Sequence, residues 1–198
     1  MTHRIFLGHV GEDHELAASL TSAVEHGLAS RDVEVCVFNT SDDRHRFPEV
    51  DLGDDWGTAD LQRVFDYGAA LKEYLASSLS ESVAYLLLVT RRSLDKNSGW
   101  VAFEAERAAQ CDTPFIPCLA NGLTWQEIVR TSYEDSEHTE IQRSRWMPRL
   151  NLPWRMARDR VMFDVTSDDG LQRLVEGLQQ MLSTESERNA RRRTRGCS

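Results

Sequence analysis

The sequence predicts a three-layer α/β sandwich built on a five-stranded parallel sheet. Three observations lead there. Short apolar segments alternate with longer amphipathic ones along the whole chain, the pattern of a parallel sheet with helices on both faces. The most apolar segment, Val83 to Thr90, has the length of a strand and no polar side to turn to water. A chain of 198 residues suits one domain with a core large enough to need no disulfide or metal.

The first strand starts near Arg4 (RIFLGHV). Leu16, Leu20, Val24 and Leu28 then recur every fourth residue, one stripe of a helix. A second strand starts near Val33 (VEVCVF). Asn39 to Gly57 is polar, contains Pro48 and Gly53, has no period and reads as a loop. Leu61 to Leu79 reads as helix, with Gly68 as an expected break. The strand from Val83 is central. Ser98-Gly99-Trp100 opens a short helix running to Cys111. A fourth strand starts near Thr113, and Pro117 within it predicts an edge or an irregular position. Leu123 to Ile141 is helix and loop, and a short fifth strand starts near Val161. Leu171, Leu174, Val175, Leu178, Met181 and Leu182 form the stripe of a last helix. This is a flavodoxin-like arrangement, in which ligands bind at the carboxyl ends of the strands. Functional residues are therefore expected after Val10, Phe38, Thr90 and Ala120.

Residues 1–183 are expected to form the domain and 184–198 a basic, disordered tail. Arg188, Arg191, Arg192, Arg193 and Arg195 crowd that tail; without them 18 basic residues face 32 acidic ones, a charge of −14. So acidic a body excludes general nucleic-acid binding. No apolar run approaches the ~20 residues of a membrane span, and Met1 to Arg4 leads straight into a strand, so a cytoplasmic protein is expected. Cys36, Cys111, Cys118 and Cys197 are scattered without a CxxC pair and read as free thiols. No His/Cys spacing supports a metal.

Several chemistries are excluded by what is missing. There is no GxGxxG after the first strand, no GxxxxGK[ST] and no GxSxG. A receiver domain is excluded because the third strand ends in Thr90 and no Lys follows Ala120. What remains is Trp100 and Glu104, four residues apart on one helix face. An aromatic plate beside a carboxylate suits a ligand with a flat ring and a ribose, and a carboxylate can stabilise an oxocarbenium-like centre as a glycosidic bond breaks. The same spacing alone is more often a packed Trp and a solvated Glu. So near a helix N-terminus, Glu104 is expected to be ionised.

Order and spacing add to this. RIFLGHVGEDHELA, VEVCVF with its acidic loop, VAYLLLVTRRSLDKNSGWVAFEAERA and TPFIPCLANGLTW together resemble the Toll/interleukin-1 receptor (TIR) family, over roughly Arg4 to Leu182. The resemblance is to stand-alone bacterial members of the Thoeris-like, NAD-consuming kind. It implies a TIR fold and cleavage of NAD at the nicotinamide–ribose bond, with NAD as substrate and no cofactor. By that resemblance Glu104 is catalytic. Gly8, His9 and Val10 line the nicotinamide side. Asp42, Asp43 and Arg44 belong to the loop that closes over the site, Trp56 is the loop's Trp, and Trp100 lines the pocket. Gly8 departs from the family's usual Ser. The resemblance also implies self-association through TIR–TIR contacts and a separate effector that senses the nucleotide product in antiviral defence. Two other readings stay open: a non-catalytic TIR–TIR interaction module, and a nucleoside deoxyribosyltransferase-like enzyme.

Overall fold

The computed structural model describes residues 2–45, 47, 58–96, 99–134, 152–158 and 160–195. Trp56, most of the long loop and Cys197 lie outside them. Five strands, β1 (His3–Gly8), β2 (Val35–Phe38), β3 (Ala84–Val89), β4 (Phe115–Leu119) and β5 (Phe163–Asp164), each start within two residues of the expected place. All four pairings are parallel and the order is β2-β1-β3-β4-β5, so β3 is central, as expected.

Seven helices accompany the strands in the described residues: α1 (His14–Ala29), α2 (Thr58–Ser80), α3 (Arg91–Lys96), α4 (Gly99–Gln110), α5 (Trp125–Glu134), α6 (Leu152–Arg158) and α7 (Asp168–Arg195). Every residue of β3 is buried, and alternation sends its side chains to two cores. Tyr85, Leu87 and Val89 join Phe6, Phe38, Leu79, Val101 and Trp154 in one. Ala84, Leu86 and Leu88 join Ile5, Leu20, Val24, Leu174 and Leu178 in the other. Helices α2, α4 and α6 thus cover one face, and α1 and α7 the other. At about 25 cal/mol per Å² of apolar surface, burying both faces is the main force holding the three layers.

Four local expectations need amendment. Gly68 does not break α2, which runs through it unbroken; a helical Gly costs only about 1 kcal/mol relative to Ala, and Leu71, Leu75 and Leu79 anchor the helix on the core. Pro117 lies on a strand with neighbours on both sides, but β5 pairs only with Cys118 and Leu119, so no ladder is lost at the proline. Helices α3 and α6 form in stretches where no element was expected; Pro153 in the first turn of α6 suits a position that needs no N–H. Helix α7 continues to Arg195, where a disordered tail was expected. The stretch from Thr184 to Arg195 has no Gly or Pro and holds five Arg and two Glu, which favour helix.

Candidate functional site

The carboxyl ends of β1 and β3 meet the first turns of α4. Val101, Ala102 and Ala105 bury one side of α4 and carry Glu104 inward with them. Glu104 is 5% exposed. Its Oε2 lies against the end of β1, where a Cβ placed on Gly8 would come within 2.6 Å of it and would also collide with the Tyr85 hydroxyl. The family's usual Ser does not fit here: the room a side chain would need is filled by Glu104 and Tyr85. Tyr85 Oη donates to Glu104 Oε2 at 3.4 Å.

This carboxyl group has no ion-pair partner among the described residues. Burial pushes its pKa up to about 8, with the Tyr85 hydroxyl acting the other way. The expectation of an ionised Glu104 is therefore corrected. In this closed arrangement the acid is largely protonated at neutral pH, because desolvation outweighs any stabilisation from the helix N-terminus. Tyr85, in turn, is pushed well above the usual phenol value by burial and by Glu104.

His9 follows Gly8. Its Nε2 is joined to Ser41 Oγ at 2.7 Å, which ties the end of β1 to the loop after β2. Its Nδ1 is buried without a hydrogen-bond partner among the described residues. Burial lowers the His9 pKa, partly offset by the Leu7 carbonyl and Asp13, so the ring is neutral at physiological pH. Val10 is buried in the core of the α2/α4 face. Beside them Asp13, almost fully buried, accepts a 2.6 Å hydrogen bond from Thr90 Oγ1 and locks the entry of α1 to the end of β3. Arg92 donates to the Glu12 carbonyl at 3.1 Å, and Arg91 pairs with Glu127 at 3.1 Å.

Gly8, His9 and Glu104 therefore come together, with Val10 next in the chain, while Trp100, Asp42 and Arg44 make their described contacts elsewhere. Trp100 is 41% exposed on the first turn of α4, with its ring edge-on to Phe103. Asp42 and Arg44 pair at 2.6 Å, and Arg44 reaches Glu25 of α1, on the other layer of the sandwich. Asp43 is exposed beside them. Sequence reasoning missed Tyr85, Ser41, Asp13 and Thr90. The signal for Tyr85 was present: it is the one hydroxyl-bearing residue of β3, and a buried phenol needs a partner. A separate hollow of about 640 Å³ opens at the other end of the sheet, lined by Ser82, Cys111, Thr113, Pro114, Gly177 and Met181 among others. It is far from Glu104 along β3.

No family model and no curated protein matches the chain. Among solved structures it is similar to the TIR domains of the activated Roq1 resistosome, an assembly that directly recognizes the pathogen effector XopQ. The TM-score is 0.53 at 10% identity, over 89% of this chain and 99% of that chain. A likeness at this identity is one of fold. The chain has a TIR-like α/β fold with a five-stranded parallel sheet, and its candidate site lies where such folds bind ligands, at the carboxyl ends of the strands.

Proposed function

We propose that this chain hydrolyses or cyclises NAD, releasing nicotinamide and ADP-ribose or a cyclic ADP-ribose isomer, with Glu104 as the catalytic carboxylate. The observation that supports this reading is a buried carboxyl group at the carboxyl ends of the central strands, with no ion-pair partner among the described residues, packed against Gly8 beside His9. A buried acid with a displaced pKa in that position is a candidate for chemistry. Breaking the nicotinamide bond develops positive charge on the ribose, and nicotinamide leaves without a strong acid. An ionised Glu104 would hold the ribose hydroxyls and stabilise that charge. Because burial keeps Glu104 protonated up to about pH 8, substrate entry has to open the site and ionise the acid; the cationic nicotinamide ring favours the anion. The remaining parts of the reading are self-association that completes the site, the long loop closing over it, and a cytoplasmic product read by a separate effector in antiphage defence.

A second reading has its own support. The carboxyl group is sealed by Gly8 and Tyr85, as a purely structural residue would be, and the fold resembles a domain solved within an assembly. In that reading the chain is an interaction module. One experiment separates the two: nicotinamide release by wild type, Glu104→Gln and Glu106→Gln at equal protein concentration, repeated at a tenfold higher one. The expected result is a loss of ~10²–10³ in Glu104→Gln, little change in Glu106→Gln, which lies about 200° round the helix, and a specific activity that rises with concentration. Wild-type turnover in Glu104→Gln sinks the mechanism. No turnover by any of the three, with the chain folded, favours the interaction module.

A further inference from the structure

We propose that Tyr85 is the positioning residue for Glu104: its hydroxyl holds the carboxyl group at the end of β1, in the space that Gly8 leaves open. The inference rests on the reading of Glu104 as the catalytic group and adds what orients it. Tyr85 is fully buried, and its hydroxyl has one hydrogen-bond partner among the described residues, Glu104 Oε2. The ring cannot swing away. Phe6 packs edge-on to it at 5.8 Å between centroids, and Phe115 is tilted against it at 5.4 Å. From the other side Gly8 acts as a wall, since even a Cβ there would meet both the phenol oxygen and Oε2. Three elements thus fix one oxygen atom: β3 supplies a donor, β1 a wall and α4 the acid.

The hydrogen bond is long, 3.4 Å, whereas a hydroxyl bonded to an ionised carboxylate sits at roughly 2.5–2.7 Å. The contact therefore has room to tighten when Glu104 loses its proton, and it favours the anion against the pull of burial. Other titratable groups nearby are committed elsewhere. His9 of the β1 end faces Ser41. Arg107 of α4 bonds Gln110 through Nη1, and its Nε is buried without a hydrogen-bond partner among the described residues. Tyr74 of α2 donates to the His45 carbonyl. Tyr85 is placed to set both the direction of the carboxylate and the pH at which it forms.

The test uses the full chain labelled with [δ-¹³C]Glu and [ζ-¹³C]Tyr. The Glu104 resonance is assigned by its loss in Glu104→Gln. Tyr85→Phe keeps the ring and removes the donor. It is expected to raise the Glu104 titration midpoint by about one pH unit, a tenfold smaller ionised fraction at neutral pH. The acidic limb of nicotinamide release is expected to move by the same amount, so the loss in kcat shrinks as pH rises. A merely structural role would lower kcat equally at all pH and leave the midpoint in place. Wild type gives a second readout that stands even if Tyr85→Phe fails to fold: the Tyr85 Cζ signal should follow the Glu104 midpoint and lose that step in Glu104→Gln. A Glu104 midpoint unmoved in Tyr85→Phe, or a Tyr85 signal blind to Glu104, overturns the inference. A moved midpoint in a chain that releases no nicotinamide supports the positioning and sinks the NAD reading instead.

Discussion

The two ends of β3 are built on opposite terms. At its carboxyl end an acid is packed so closely that Gly8 cannot carry a Cβ without striking it. At its amino end the chain leaves a hollow of about 640 Å³, lined by Ser82, Thr113, Pro114 and Met181, where Gly177 could gain a side chain freely. Volume alone would direct attention to the hollow. Free energy directs it to the acid, because burying an ionisable group without a charged partner is costly, while an open hollow filled with water costs little. A fold retains an uncompensated cost where function needs it.

The largest effect that can break or sharpen this contrast is the pH dependence of stability. The folded chain keeps the Glu104 proton up to about pH 8, whereas the unfolded chain releases it near a carboxyl group's ordinary value of 4.5. Between those values the folded state holds the extra proton, so stability falls as pH rises. The contribution is fully present below the lower value and gone above the upper one. The slope is about 1.4 kcal/mol per pH unit, on the order of 5 kcal/mol over the window. Glu104→Gln should erase that slope. Denaturant unfolding of both chains at pH 5, 7 and 9 measures it, and parallel curves for the two chains would mean that Glu104 is not held as a buried neutral acid.

Next in size is Gly8→Ala. The added methyl has to displace Tyr85 or Glu104, and overpacking of this kind costs about 1–3 kcal/mol. A melting temperature equal to wild type would show that the end of β1 is looser than the packing implies. The smallest effect has the opposite sign. A Cβ on Gly177, in the interior of α7, would meet only the Phe163 ring, at 3.9 Å. Gly177→Ala should therefore stabilise by about 0.5–1 kcal/mol, read as a rise in melting temperature. A loss of stability there would mean that the hollow needs its backbone bare.

The same contrast explains what could be read from the sequence. The strands were legible because both faces of the sheet are buried, so VAYLLLVT stands out as an unbroken apolar run. That unbroken run is also what hid Tyr85: with no alternation of polar and apolar residues, nothing in the string says which side chains face α4. Glu104 was singled out by the resemblance together with its spacing to Trp100, but its protonation could not be read. Helix position argues for an anion, and only the packing of Gly8 and Tyr85 reverses that. The loop from Asn39 gave no periodic signal, and the pairing of Arg44 with Glu25 and Asp42 joins α1 to a loop that begins after β2.

The all-parallel pairing has a kinetic consequence. Each ladder in this sheet joins strands roughly thirty to eighty residues apart, so no hairpin can form early and lower the entropy of the next contact. His3 pairs with Val35, Ile5 with Ala84, Tyr85 with Phe115 and Cys118 with Phe163. Gly8, Tyr85 and Glu104 meet only once β1 has docked beside β3 and α4 has settled on them. A chain still emerging from the ribosome therefore has no assembled Glu104 site until β1, β3 and α4 have all been made and docked.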